Sequence, residues 1–362
     1  MTGTVDRSNL GLLSFKHEMG DKKLNVLTGE LSGCMQITLT NKQLINARPF
    51  MKWAGGKTQL LEELSKRLPA EILESGIIDR YVEPFVGGGA MFFYLKNKFE
   101  VKEAFLLDIN PELVVGYKTI QKTPNKLVSR LKELEKEYLS KNDRSRQDLY
   151  YSIRDLYNSQ MSTFNYQKIG PKWVERTAYT IFLNKTCFNG LFRQNSKGLF
   201  NVPFGRYKNP TICNEDNLIQ SSLALKNTKV EVGDFSKTSR LAKNGTLVYL
   251  DPPYRPLNTT SSFTSYAKDG FSDKDQCRLA DYYQKMSDKG AYLMLSNSDP
   301  KNSNPNDDFF DKLYQNYYIH RVLASRMINC DAKKRGAIYE LIVTNYKTMV
   351  DCNGLNELKP EK

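Results

Sequence analysis

Asp251-Pro252-Pro253-Tyr254 gathers a carboxylate, backbone carbonyls and an aromatic ring into one short segment. Both prolines have a fixed φ and no N–H, so the loop they form is locked. The segment follows Thr246-Leu247-Val248-Tyr249-Leu250, an apolar run of strand length. A buried strand ending in an acid and two prolines sets these groups at the carboxyl end of a strand. Ligands of open α/β sheets sit there. Hydrogen-bond acceptance beside a flat ligand is the chemistry such a set offers. An ordinary proline-terminated strand is the other reading, and the tetrapeptide alone leaves both open.

Two glycine turns lie upstream. Arg48-Pro49-Phe50-Met51-Lys52-Trp53-Ala54-Gly55-Gly56-Lys57-Thr58 opens a helix-like LLEELSKRL. A phosphate-binding G-x-x-x-x-G-K-T loop would need glycine at Met51, so that pattern fails. What remains is a turn that could cap an anionic ligand group, with Trp53 and Lys57 beside it and Trp53 equally suited to the core. The second turn, Tyr81-Val82-Glu83-Pro84-Phe85-Val86-Gly87-Gly88-Gly89-Ala90, reads as strand, tight turn and helix start. A dinucleotide G-x-G-x-x-G would need glycine at Phe92, which disfavours NAD. The run Ala104-Phe105-Leu106-Leu107-Asp108 places an acid about 20 residues beyond the glycines, a spacing suited to gripping ribose hydroxyls. Together these predict a nucleoside-containing cofactor without a pyrophosphate.

The elements that must position these groups follow from periodicity. Strands are expected at the two runs above, near 81–86, at Lys229-Val230-Glu231-Val232, at 291–296, near 317–324 and over 337–346. Gly233-Asp234-Phe235 closes the Lys229 strand. Helical spacing marks 110–121, 126–139, 146–160, 173–185 and 273–288, and the first four interrupt the βαβ rhythm as an inserted subdomain. The mixed charges of Lys132 to Glu137 read as a solvated face. The first 46 residues are a weakly patterned extension with one alternating stretch at 34–39, and a tail is expected from 348.

Residues 176–214 contain no Asp or Glu but hold Arg176, Lys185, Arg193, Lys197, Arg206 and Lys208. Phe188, Asn189, Asn195, Phe200, Asn201, Pro203, Phe204 and Tyr207 are interleaved with them, and Gly198 marks a hairpin turn. Phosphate contacts, base-edge donors and wedging or stacking groups are thus supplied together, as nucleic acid binding needs. The balance of 53 Lys+Arg against 40 Asp+Glu, net +13, agrees with a polyanionic partner. Lys333, Lys334 and Arg335 form a second basic loop, suited to phosphate or to solvent. Six separated cysteines without C-x-x-C, and only His17 and His320, point to free thiols in a reducing compartment rather than to zinc or disulfides. No apolar run approaches about 18 residues and no signal sequence is evident, so neither a membrane span nor secretion is expected.

At this point the chain resembles the Dam-type DNA adenine-N6 methyltransferases over residues 48–346. FMKWAGGK at 50–57, VEPFVGGG at 82–89, LDIN at 107–110 and DPPY at 251–254 match that family's cofactor and catalytic motifs. Phe188-Asn189-Gly190-Leu191-Phe192-Arg193 with 200–207 is similar to the hairpin of members that methylate GATC, and Phe263-Thr264-Ser265-Tyr266 and Leu295-Ser296-Asn297 also match. The extension 1–46 and the residues around 184–188 and 194–197 depart from the pattern.

The resemblance implies a Rossmann-like, S-adenosylmethionine-dependent methyltransferase fold: a mixed seven-stranded sheet with an inserted helical and hairpin DNA-recognition domain. Residues 47–112 and 226–347 would be catalytic, and 113–225 would recognise the target. Trp53, Ala54, Gly55 and Lys57 would lie near the cofactor; Glu83, Pro84, Phe85 and Gly87 near its methionine part. Asp108 and Ile109 would hold the ribose, and Asp234 and Phe235 the adenine, with Asp251 bordering the same site. Lys52 and Arg193 would contact guanines, and Leu191 and Pro203 apolar base edges. Phe188, Asn189 and Tyr207 would flank the opened stack, with Asn195 beside them. Asp251 and the Pro252 carbonyl would each accept one N–H of the target amine, Pro253 would hold that corner rigid, and Tyr254 would stack on the base. No metal takes part. The implied partner is duplex DNA, with a cognate restriction endonuclease possible, and the implied place is the cytoplasm, on the nucleoid. An RNA amino-methyltransferase and a catalytically idle DNA-binding protein are the alternatives.

Overall fold

The structure, a computed structural model, describes residues 45–255, 271–325 and 337–352. The stretch 34–39, Phe263 to Tyr266 and the basic loop at Lys333 to Arg335 lie outside the described residues.

Seven strands form one sheet: β1 (Ile77–Glu83), β2 (Glu100–Asp108), β3 (Thr228–Val232), β4 (Leu247–Leu250), β5 (Tyr292–Ser298), β6 (Tyr318–Ser325) and β7 (Ala337–Thr344). Their order is β3-β2-β1-β4-β5-β7-β6. The first five are parallel, while β7 runs antiparallel to both of its neighbours. The chain winds outward from β1 to β3, then returns to lay β4 on the other side of β1. The crevice where the direction reverses therefore opens at the carboxyl ends of β1 and β4.

Side chains alternate across a strand, and this parity builds the site. Tyr81, Leu106, Tyr249, Met294 and Ile342 pack into the core on one face. Val82, Phe105, Val248, Leu250, Leu295 and Leu341 pack into the core on the other. Two residues on from Tyr81, Leu106, Tyr249 and Met294 stand Glu83, Asp108, Asp251 and Ser296. Two residues before Ile342, on the reversed strand, stands Glu340. All five reach the same face at the same edge of the sheet.

The helices are α1 (Leu61–Lys66), α2 (Ala70–Ser75), α3 (Ala90–Lys98), α4 (Pro111–Lys122), α5 (Pro124–Leu139), α6 (Asp143–Ser159), α7 (Pro171–Thr186), α8 (Glu215–Ala224), α9 (Asp273–Ser287), α10 (Phe309–Leu313) and α11 (Met349–Cys352). The four helices expected between residues 110 and 185 become α4 to α7. Asn110 caps α4 with Pro111 at its first position, and Ser272 and Asp275 form a capping box on α9. Thr348 is buried, so the packed chain runs a turn past the expected start of the tail.

Helix α7 packs against α4, α5 and α6 and is buried along most of its length. Inside it, Arg176 is fully buried, bonded to Glu112 of α4 at 3.0 Å and lying 3.8 Å over the Tyr157 ring. A buried cation keeps its charge only with such partners. The pair ties the helix that follows Asp108 to the helix that leads into loop 187–207. Among the described residues no helix is long and apolar enough to cross a membrane.

Candidate active site

Strand β4 is buried throughout and delivers Asp251 to the crevice. Asp251 Oδ1 accepts from Lys57 Nζ at 2.5 Å and from Ser296 Oγ at 3.1 Å. Tyr249 OH lies 2.9 Å from Ser296 Oγ and fixes that hydroxyl in turn. Oδ1 is thus engaged, and Oδ2 has no protein partner among the described residues. Gln276, wholly buried on α9, donates to the Pro253 carbonyl at 3.3 Å and braces the proline corner. The Lys57 ammonium sits 4.5 Å over the Tyr254 ring, whose hydroxyl donates to Glu340.

Burial pushes the Asp251 carboxyl above its ordinary range, and the Lys57 charge and hydrogen bonds to Lys57 and Ser296 pull it partly back. Burial works against the Lys57 ammonium, but Asp251, Tyr254 and Glu340 outweigh it and hold that cation charged well above the usual lysine range. Glu83 is pushed far up by burial despite a 2.9 Å hydrogen bond from Tyr81.

The turn after β1 forms the other wall. Gly87 N–H donates to Asp108 Oδ2 at 2.9 Å and Asn110 N–H to Oδ1 at 2.8 Å. Gly89 has φ +73, and a Cβ there would stand 2.4 Å from the Tyr117 hydroxyl. A Cβ on Gly87 would meet the Trp53 ring at 2.9 Å, so glycine is what lets Trp53 close on the turn. Asp108 is half-buried, and burial raises its pKa to about 6 against the pull of its backbone donors. A glycine cradle, an accessible carboxylate and an indole wall fit a nucleoside cofactor with hydroxyls to bind. Ile109 is exposed beside Asp108, and Gly55 turns the segment that carries Ala54. Pro84 is buried, and Phe85 packs on Phe235. Phe235 itself lies in the core, while Asp234 is held at the surface by Arg278 at 2.9 and 3.0 Å.

Loop 187–207 is an irregular hairpin closed by two antiparallel bridges, Cys187 with Phe204 and Gln194 with Phe200. Gly198, with φ +79, makes the expected turn, and Asn195 Oδ1 builds it by accepting from Lys197 and Leu199 N–H. Phe188 and Tyr207 are exposed, as are Asn195 and Pro203, while Leu191 packs partly on the core. Lys52 Nζ donates to the Asn189 carbonyl at 2.8 Å, and Arg193 Nε to Asn201 Oδ1 at 2.9 Å. Asn184, buried at the end of α7, bonds both backbone groups of Lys52 and the Gly190 carbonyl, each at 2.9 Å. Trp53 stacks on Phe192 with centroids 5.1 Å apart. The loop and the wall formed by Trp53 and the glycine turn are therefore one connected surface.

Sequence reasoning assigned no role to Ser296, Tyr249, Gln276, Asn184 or Glu340. Two of them carry a signal in the sequence: Ser296 lies in the matching segment Leu295-Ser296-Asn297, and Glu340 is an acid inside the apolar run Ile338-Tyr339-Glu340-Leu341-Ile342.

A seven-stranded sheet with β7 reversed, an acid-proline-proline-tyrosine corner at the switch crevice and a second acid over a glycine turn define a Rossmann-like methyltransferase. Residues 53–328 match the family model of D12 class N6 adenine-specific DNA methyltransferases, and the chain belongs to that family. It is 49% identical over 303 residues to the type II methyltransferase M.MjaIII of Methanocaldococcus jannaschii, covering 83% of this chain and 100% of that one. It is 39% identical to the type II methyltransferase M1.LlaDCHI of Lactococcus lactis subsp. cremoris, covering 86% and 99%. It is 30% identical to the DNA adenine methylase of Escherichia coli K12, covering 82% and 94%. The expectation of a site-specific, adenine-N6 DNA methyltransferase is borne out.

Proposed function

We propose that this enzyme methylates N6 of an adenine turned out of duplex DNA, at GATC, with S-adenosylmethionine as donor. The observation that carries the reading is Asp251, with Oδ1 tied to Lys57 and Ser296 and Oδ2 left for a substrate N–H. The exocyclic amine of adenine is a poor nucleophile because its lone pair is delocalised into the ring. Asp251 Oδ2 accepts one N–H and the Pro252 carbonyl the other, which pyramidalises the nitrogen and localises the lone pair. Tyr254 stacks on the displaced base and offsets part of the few kcal/mol that unstacking costs. Bound S-adenosylmethionine would supply the electrophilic methyl, its C–S bond breaking as N6–C forms so that S-adenosylhomocysteine leaves, and the surplus N6 proton would pass to water, directly or by way of Asp251. The residues of this chain contribute positioning and fixed electrostatics.

In this reading Asp108 and Ile109 hold the ribose of the donor, with Trp53, Ala54, Gly55, Lys57, Glu83, Pro84, Phe85 and Gly87 around the rest. Asp234 borders the adenine at the surface, and Phe235 supports it from the core behind Phe85. Lys52 and Arg193 read guanines, Leu191 and Pro203 apolar base edges, and Phe188, Asn189, Asn195 and Tyr207 flank the opened duplex. Residues 47–112 and 226–347 serve catalysis and 113–225 recognition. The type II names of the relatives support a cognate restriction endonuclease as partner, and a DNA substrate supports a cytoplasmic, nucleoid-bound location.

The test is to incubate the protein with S-adenosylmethionine and mixed-sequence DNA and to map every N6-methyladenine, with structured RNA in parallel. Modification confined to GATC in duplex DNA is expected. Modification of RNA alone, or of another site, overturns the reading.

A further inference from the structure

A carboxylate inside a sheet is costly unless it is partnered. Glu340 lies in the apolar run of β7, 5% exposed, paired across to Ser298 of β5. Strand parity puts it on the face that carries Asp251 and Ser296. Tyr254 donates its hydroxyl between the two Glu340 oxygens, at 2.9 and 2.8 Å. The face of the same ring is covered by the Lys57 ammonium, which is itself paired with Asp251. The ring of the DPPY tyrosine is therefore held by its polar end as well as by its face.

We propose that Glu340 is a positioning residue for methyl transfer: by anchoring the Tyr254 hydroxyl it fixes the ring plane on which the target base stacks. The proposal rests on the functional reading above. A tyrosine ring can swing out of plane with little cost when its hydroxyl is unanchored. A stacking platform that swings does not hold the amine on Asp251 and the Pro252 carbonyl, and alignment of that kind is where rate is lost. The hydrogen bond to a carboxylate also enriches the ring in electron density and strengthens its hold on Lys57. Because β7 is antiparallel, its amino-terminal half reaches the edge where the parallel strands end, and Glu340 arrives there from the far side of β5.

The test compares Glu340→Ala, Glu340→Gln, Tyr254→Phe and the double variant Tyr254→Phe/Glu340→Ala with the unmutated enzyme. The measurements are kcat and KM on duplex DNA, cofactor affinity by calorimetry, and fluorescence of an adenine analogue at the target position. Glu340→Ala and Tyr254→Phe are each expected to lower kcat roughly ten- to hundredfold, the equivalent of one hydrogen bond to a charged group. Cofactor affinity stays unchanged, the double variant falls no further than either single one, and Glu340→Gln, which keeps an acceptor oxygen, recovers most of the loss. Full kcat in Glu340→Ala, or additive losses in the double variant, overturns the proposal. If Glu340→Ala does not fold, Tyr254→Phe decides, since undiminished kcat there overturns it equally. An unmutated enzyme that methylates no DNA overturns the functional reading and the proposal together; an active one with an indifferent Glu340 overturns the proposal alone.

Discussion

Lys57 and Asp251, 194 residues apart in the chain, meet as an ion pair with nitrogen and oxygen 2.5 Å apart. The lysine comes from a glycine turn near the start of the described chain and the aspartate from the end of β4. A buried charge is stable only when paired, so each holds the other in its ionised form. The pair also engages Oδ1 and leaves Oδ2 without a protein partner among the described residues. The glycine turn that carries Lys57 and the acid-proline-proline-tyrosine corner are joined there.

Removing the lysine should therefore change the titration of the aspartate. Burial already raises Asp251 and Lys57 opposes that rise, so Lys57→Met leaves the carboxyl higher still. Activity that needs the carboxylate is lost as pH falls through that pKa. The acid limb of kcat against pH moves to higher pH in Lys57→Met, and an unmoved limb contradicts the pairing. Asp251→Ala should keep cofactor and DNA binding but lose methyl transfer by roughly 10²- to 10³-fold, the scale of one preorganised electrostatic contact.

Asp108 gives a second pH dependence, of cofactor binding. Its pKa is raised from 3.8 to about 6, and its backbone donors face the ionised form. A carboxyl raised in the folded state favours folding at low pH, and that contribution is lost as pH rises through about 6. Affinity for the donor should run the opposite way, weakening as pH falls through the same value while the acceptor is protonated. Calorimetry across that range should show the change in the unmutated enzyme, and Asp108→Asn should bind weakly and without it.

Arg193 carries the specificity prediction. Its Nε is fixed by Asn201, which orients the guanidinium on an exposed loop. Arg193→Ala should relax the mapped site at one base pair by about 1–3 kcal/mol, as loss of a bidentate guanine contact does. A uniform loss of methylation at all sequences would instead mark a phosphate contact.

Much of this site is written in short stretches of sequence. Alternation through Leu247 to Leu250 places Asp251 on the face of Tyr249, Pro252 and Pro253 stop the strand, and Gly87 and Gly89 admit contacts no other residue permits. These rules act within a few residues, so strands, turns and the two acids over the crevice are legible in the amino-acid sequence by itself. The tertiary structure alone decided that β7 reverses between β5 and β6 and brings Glu340 to Tyr254, that Asn184 clamps Lys52 to Gly190, and that Lys57 engages one oxygen of Asp251. It also decided that Phe235 faces the core while Asp234 pairs with Arg278. Each of these depends on which strands pair and in what register. Register is settled by burying whole faces against one another, and a contact made across many tens of residues leaves almost no mark on the residues next to it.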